Sequence, residues 1–307
     1  MLIKPVIVIG SSNIDLVAKS HKIPVVGETL TGTDFFMTPG GKGANQAVAA
    51  AKLGAEVIFV TRLGKDIFAE KLLANFKSVN IITKYITQLE DVPTGVALIA
   101  IDDNGKNIII VVPGANGKLM PDDLDKVSGD IATAGAVVCQ LEIPIETVEY
   151  AAALAIQSKV PFILDPAPAR PLSDSLLKMV DVIKPNETEA QTITGIKVVD
   201  INTASKAADW LMAKGVKNVI ITLGEKGALL ANQNGREIID RIKVKAVDST
   251  AAGDAFTGAI AYGLATGKSL KEAAKYANIV AAISVTRFGA QASMPTKSEV
   301  DSFKYDL

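Results

Sequence analysis

The chain has 307 residues, a net charge of −1, 49% hydrophobic and 21% charged side chains, and only 5% aromatics. That is the composition of an ordinary globular chain, and it leaves neither a basic patch nor a base-stacking surface for nucleic acid. A single cysteine, Cys139, excludes an intrachain disulfide and a cysteine metal cluster, and a single histidine, His21, argues against serine–histidine hydrolase chemistry and multi-histidine zinc sites. Chemistry here has to rest on carboxylates, lysines, backbone amides and bound ions.

Met1 to Gly10 is too short and too broken for a signal peptide and reads as a first buried strand, with Val6 to Ile9 as its β-branched run. No apolar run reaches membrane-spanning length, so no membrane partner and a cytoplasmic location are expected. Asn13 and Asp15 follow at the strand's C-terminal end. If the chain stays extended, both point the same way and offer donors and acceptors to hydroxyl groups; a polar turn is the alternative. Leu16 to Thr38, with Pro24, Gly27 and Gly32, reads as short strands and turns. Pro39 to Asn45 is a glycine-rich loop entering a helix over Gln46 to Leu53 that Gly54 ends. It is neither of the two common nucleotide loops, since Gln46 stands where G-x-G-x-x-G needs its last glycine.

Val57 to Thr61 is expected to be a strand and Ile67 to Phe76 a helix. Gly95 to Ile101 and Asn107 to Val112 flank Asn104-Gly105, a hairpin signal. Together with Leu16 to Thr38 they predict a small β-sheet attached to a larger α/β body. From Ala136 the pattern is strand then helix: Ala136–Gln140 before Ile145–Gln157, Val160–Leu164 before Ser173–Met179, and Val182–Lys184 before Glu187–Thr194. Val219–Leu223 follows a helix over Thr203–Lys214. This alternation predicts a parallel sheet with helices on both faces. Cys139 falls inside one of these strands and is expected to be buried. Glu142, Asp165, Asn186, Glu187 and Gly224 to Gly227 sit just past strand ends, where open parallel sheets bind ligands. The last third is helical, over Asp254–Thr266 and Ser269–Thr286, broken near Gly289. Gly263 to Ser269 imitates a phosphate loop but is one residue short and follows a helix, so it reads as a helix end and turn.

In V-D-S-T-A-A-G-D-A-F, from Val247, small residues precede a helix that Asp254 opens. The unpaired N–H groups of a helix's first turn bind anions, and Asp254 is at once a possible N-cap and a possible base.

Four segments in this order, G-G-K-G-A-N (Gly40–Asn45), K-P-N-E-x-E (Lys184–Glu189), T-L-G-E-K-G (Thr222–Gly227) and D-S-T-A-A-G-D-A-F (Asp248–Phe256), resemble the PfkB-type carbohydrate kinases. The resemblance covers nearly the whole chain, from Asn13 to Pro295. It implies an α/β, ribokinase-like three-layer core with a mostly parallel sheet, forming one domain over 1–307. A small β-sheet lid of approximately 16–38 and 95–112 would also pair two subunits as a homodimer. It implies transfer of the γ-phosphate of ATP to the 5-hydroxyl of D-ribose. Asn13, Asp15, the full G-G-K-G-A-N, Glu142 in Q-L-E-I-P, and T-R-F-G-A-Q favour ribose. A sister kinase for deoxyribose, fructose or nucleosides is the alternative. A non-catalytic sugar-binding regulatory protein is opposed by the intact A-A-G-D.

The resemblance also implies a site. Asn13, Ile14, Asp15, Gly41, Lys42, Gly43, Ala44, Asn45 and Glu142 would hold the sugar, with no catalytic role given to Lys42. Asn186, Thr222, Leu223, Gly224, Glu225, Lys226, Gly227 and Asn278 would hold ATP, with Gly253 and Asp254 at its phosphate end. Asp254 would act as base and the amides of Ala251, Ala252, Gly253 and Asp254 as the anion hole. Mg²⁺ would bridge the phosphates near Asn186 and Glu189. K⁺ would lie at Asp248, Thr250, Ser284, Arg287, Gly289 and Ser293, four of them through backbone oxygens. Ser249, where many such kinases have threonine, is a mild departure.

Overall fold

The structure, a computed structural model, describes residues 4–304; Met1 to Ile3 and Tyr305 to Leu307, which the expected first strand and single domain include, lie outside the described residues. The strands in chain order are β1 (Val6–Ile9), β2 (Asn13–Lys19), β3 (Asp34–Gly40), β4 (Val57–Gly64), β5 (Ile82–Leu89), β6 (Gly95–Ile101), β7 (Asn107–Val112), β8 (Ala136–Cys139), β9 (Phe162–Leu164), β10 (Val182–Ile183), β11 (Asn218–Thr222), β12 (Ala228–Asn232) and β13 (Gly235–Ile239).

All four side chains of β1 are fully buried, which is possible only where both faces of a strand are covered. Val6 and Val8 pack into one apolar core, with the helices Lys42–Lys52, Ile67–Ser78, Ala252–Ala265 and Leu270–Ser284. Ile7 and Ile9 pack into a second core, with the helices Ile145–Gln157, Asp174–Met179 and Ile201–Ala213. The period-two alternation of one short strand thus feeds both faces, and a three-layer α/β body results. Its nine-stranded sheet has the order β13-β12-β11-β10-β9-β8-β1-β4-β5. Every pair from β11 through to β5 is parallel; β12 and β13 are antiparallel additions at one edge.

The two expected lid segments do pair, in a separate sheet of order β3-β2-β6-β7. Asn13 stands opposite both Gly40 and Gly95, so this sheet springs from the end of β1 where the crevice lies. Asn104 and Gly105, the latter at φ 78, close the β6–β7 hairpin with the Asp102 side chain accepting two turn N–H groups.

Several boundaries differ from the sequence reading. The first helix begins at Lys42, not Gln46, so Gly43, Ala44 and Asn45 belong to its first turn and not to a loop. The helix expected to open at Asp254 begins at Ala252, and Ala251 caps it in a left-handed conformation, φ 59. Asp254 is therefore not an N-cap. Ser269 caps the helix Leu270–Ser284 through a capping box with Glu272. Asn13 to Asp15 is strand, not a polar turn. β5 and the β12–β13 hairpin were not expected; β5 and β13 are of mixed polarity and only partly buried, which hides the strand period, while β12 is buried over Ala228 to Ala231.

Candidate active site

The crevice is bounded by the C-terminal ends of the parallel strands and by the first turns of two helices. After β1, the Ser11 hydroxyl donates to Glu142 Oε2 at 2.6 Å, and the Lys42 N–H donates to the same oxygen at 3.0 Å. Glu142, past the end of β8, thereby anchors the start of the helix Lys42–Lys52. Asn13 and Asp15 share one face of β2, as the extended reading requires. The pair of glycines before the helix is demanded by space and by backbone. A Cβ on Gly40 would lie 2.4 Å from the Asp15 carboxylate, and Gly41 sits at φ 86, a conformation that other residues avoid.

Asn116 was not anticipated. Its Nδ2 donates to Asn13 Oδ1 at 2.7 Å, and its Oδ1 accepts the Ser12 N–H at 2.8 Å. It fixes which end of the Asn13 amide faces outward. The only sequence signal was a polar residue in the turn G-A-N-G; its burial is a tertiary fact.

Burial, reinforced by the charges of Glu142 and Asp254, pushes the Asp15 carboxyl up to about 7. Lys42 is the counterweight. Burial works against its ammonium, yet Asp254, Asp165, Glu142 and Glu189 together hold it charged well above the ordinary lysine range.

Asp254 is 5% exposed and stands in the first turn of its helix. Its Oδ2 accepts Asn45 Nδ2 at 2.9 Å and its Oδ1 accepts Gln46 Nε2 at 3.0 Å. No side chain caps this helix, and among the described residues the N–H groups of Gly253 and Asp254 find no acceptor. The Ala252 N–H is taken by the Ser249 carbonyl at 3.2 Å, which leaves it the least available of the four expected anion-hole amides. Behind the turn lies a buried ion pair that the sequence reading did not single out: Lys184 Nζ is 3.0 Å from Asp165 Oδ2 and also donates to the Gly253 carbonyl at 3.2 Å. Thr257 repeats both contacts through its hydroxyl.

The segments expected to hold ATP gather farther along the same edge. Asn186 forms an isolated parallel bridge with Thr222, so K-P-N-E-x-E and T-L-G-E-K-G are neighbours. Asn186 and Glu189 form a reciprocal capping box, both bonds 2.8 Å. Burial, then the Asp165 charge, raises the Glu189 carboxyl. Gly224–Lys226 is a turn of 3₁₀ helix between β11 and β12, with Leu223 and Gly227 closing it and the Lys226 ammonium on the Val199 carbonyl. Asn278 approaches from the helix Leu270–Ser284 and donates to the Asp240 carbonyl.

The two segments expected around a monovalent ion also meet. Asp248 Oδ1 accepts the Thr250 N–H and hydroxyl, and Asp248 Oδ2 accepts the Gly289 N–H at 2.9 Å. Although burial opposes it, these bonds hold the Asp248 carboxyl below its ordinary range. The Ser284 carbonyl is used by the Arg287 N–H, and the Ser293 hydroxyl donates to Ala290. The donor set is carboxylate and carbonyl oxygen, suited to a hard cation. Among the described residues no three His, Cys, Asp or Glu side chains form a metal-binding group. A magnesium ion would thus depend on phosphate oxygens and water for most of its ligands, the usual arrangement for that ion.

With this geometry established, comparison with known proteins gives consistent results. The sequence pattern of the pfkB family carbohydrate kinases matches residues 4–297. A ribokinase of Haemophilus influenzae is 41% identical over 300 residues, covering 98% of each chain. A deoxyribokinase of Salmonella typhi is 39% identical over 297 residues, 96% of this chain and 97% of its own. Among solved structures, the Arabidopsis thaliana ribokinase complexed with ribose and ATP superposes with a TM-score of 0.92 at 34% identity, covering 99% of this chain and all of that one. The Thermotoga maritima ribokinase does so with a TM-score of 0.90 at 39% identity, over 97% of this chain and 98% of that one.

Proposed function

The chain belongs to the pfkB family of carbohydrate kinases, and from that premise we propose that it transfers the γ-phosphoryl group of ATP to the 5-hydroxyl of D-ribose, giving D-ribose 5-phosphate and ADP. That it is an ATP-dependent sugar kinase follows from the family and from full-length relatives that are ribokinases. One observation carries the mechanism: a buried carboxylate, Asp254, held by two amide donors in a helix first turn whose Gly253 and Asp254 N–H groups are unpaired.

In this reading Asn13, Asp15, Asn45 and Glu142 take the sugar hydroxyls and leave one hydroxyl facing Asp254. Asp254 removes its proton as the oxygen attacks the γ-phosphorus. The unpaired N–H groups and the positive end of the helix stabilise charge on the transferring group, for which positioning and electrostatics suffice. Lys42, kept charged among four carboxylates, neutralises the pocket. ATP lies along Asn186, Thr222 to Gly227 and Asn278. Asn186 and Glu189 would hold a magnesium ion, which would supply charge neutralisation on the phosphates. Asp248, Thr250, Ser284, Arg287, Gly289 and Ser293 would hold a potassium ion, whose charge would serve to steady the loop leading to Ala251. Residues 1–307 act as one domain. The four-stranded sheet closes over the sugar and joins two subunits.

The Salmonella typhi deoxyribokinase supports a second reading, deoxyribose as substrate, because its identity to this chain is nearly that of the ribokinases. ADP release with Mg-ATP across pentoses, hexoses and nucleosides separates the two. D-ribose is expected to give the highest kcat/KM. A higher value for 2-deoxyribose establishes the second reading, and no turnover with any sugar refutes both.

A further inference from the structure

The Asn45 amide on Asp254 cannot choose its orientation freely. Asn45 gives its NH₂ to Asp254, and its Oδ1 accepts Nε2 of Gln291 at 3.1 Å. Gln291 in turn keeps its Oε1 on Nδ2 of Asn75 at 2.7 Å. A side-chain amide donates at one end and accepts at the other. Hydrogen-bond polarity therefore runs one way, from Asn75 through Gln291 and Asn45 to the carboxylate. Gln291 is 5% exposed and comes from the loop that follows the helix Leu270–Ser284. Neither sugar nor ATP was assigned to it above.

Resting on the reading of Asp254 as the base, we propose that Gln291 is a positioning residue that keeps Asp254 an open acceptor by fixing the polarity of the Asn45 amide. If Asn45 turned over, its Oδ1 would face Asp254 Oδ2, acceptor against acceptor, and a proton would have to sit between them. That proton would occupy the oxygen that must take one from the sugar. A second amide, Gln46, is locked in the same sense, since its Oε1 accepts Gln140 Nε2 at 2.7 Å. The Asp254 carboxylate is thus presented to the pocket by two donors of fixed direction, one of them controlled from a distant loop. The charged groups around this arrangement are Lys42, Asp15, Glu142, Asp165, Lys184 and Glu189, with Lys52 on the Gln291 carbonyl. Gln291→Met leaves all of these charges as they are, whereas Gln291→Glu adds one.

The test is the pH profile of kcat/KM for the best sugar of the panel, in wild type, Gln291→Glu and Gln291→Met, with ATP affinity by calorimetry and thermal unfolding of each. In Gln291→Glu the introduced carboxylate cannot donate to Asn45, so Asn45 turns. The acid limb is expected to move up by roughly one pH unit and kcat/KM to fall about tenfold or more, with ATP affinity unchanged. Gln291→Met removes the donor without adding charge, and a smaller move in the same direction is expected. An acid limb that stays at its wild-type position in Gln291→Met overturns the proposal, whatever happens to rate, to melting temperature or in Gln291→Glu, whose added charge raises the limb by itself. If Gln291→Glu fails to fold, Gln291→Met alone decides by the same criterion. Asp254→Asn is run beside them: persistent turnover there removes the base itself, whereas an inactive Asp254→Asn with an unmoved acid limb removes only the relay.

Discussion

At the scale of single residues, Asp15 carries a prediction whose sign is unusual for a carboxylate. Burial, Glu142 and Asp254 raise it from 3.8 to about 7. Between these values the folded chain keeps a proton that the unfolded chain has lost. Its contribution to stability therefore falls as pH rises from about 4 to about 7, and is level above that. Asp15→Asn removes this cost, so the ligand-free variant should melt higher than wild type at about pH 8, with the gap closing towards about pH 4. A sugar that donates hydroxyls to the carboxylate favours its ionised form. Sugar binding should then release a proton near pH 6, and affinity should weaken as pH falls below about 7. Calorimetry in buffers of different ionisation enthalpy reads this directly; proton uptake on binding would show that Asp15 is not a sugar acceptor.

Among the structural elements, the four-stranded sheet is the least self-sufficient. Its register puts Phe35, Met37, Leu98, Ile108 and Ile110 on the face opposite Asp15. All are exposed, Phe35 by 65% and Ile110 by 60%. A contiguous apolar face of this kind is more than scattered surface hydrophobes and calls for a cover. In the proposed dimer a second subunit's sheet provides it. Sedimentation velocity should show wild type as a dimer, and Ile110→Asp, which places a charge on that face at the edge strand β7, as a monomer. A wild-type monomer at high concentration would remove this part of the proposal. The helix starts teach a complementary lesson. Ala251 at φ 59 and Gly41 at φ 86 are the residues that turn the chain into the two helices of the site. Nothing in an alanine predicts a left-handed conformation, so Asp254 read from sequence looked like a cap when it is the third residue of the helix.

At the scale of the molecule, Asp248 and Gly289 lie 41 positions apart and are joined by a 2.9 Å hydrogen bond. This contact couples the segment entering the first turn at Ala251 to the end of the helix Leu270–Ser284. If an ion binds there, it acts on catalysis through that coupling and not through substrate. Turnover at constant ionic strength should be faster in K⁺ than in Na⁺ or tetramethylammonium, and Asp248→Ala should lose the difference. Equal rates in all three salts would refute cation activation; K⁺ activation surviving in Asp248→Ala would refute this location.

The layered α/β body is legible in the residue pattern, because β1 and β8 are β-branched or otherwise apolar at every position and alternate with apolar helices, a pattern that only burial on both faces satisfies. The same pattern shows which segments meet at the crevice, since polar residues past parallel strand ends must converge on one edge. The hydrogen-bonding of the site, by contrast, exists only once the chain has folded. Asn116 on Asn13, Gln291 on Asn45 and Lys184 on Asp165 join residues 103, 246 and 19 positions apart. An amide or a lysine carries no local sign of its partner: its donors and acceptors would be satisfied equally well by water, and burial alone obliges them to find one another.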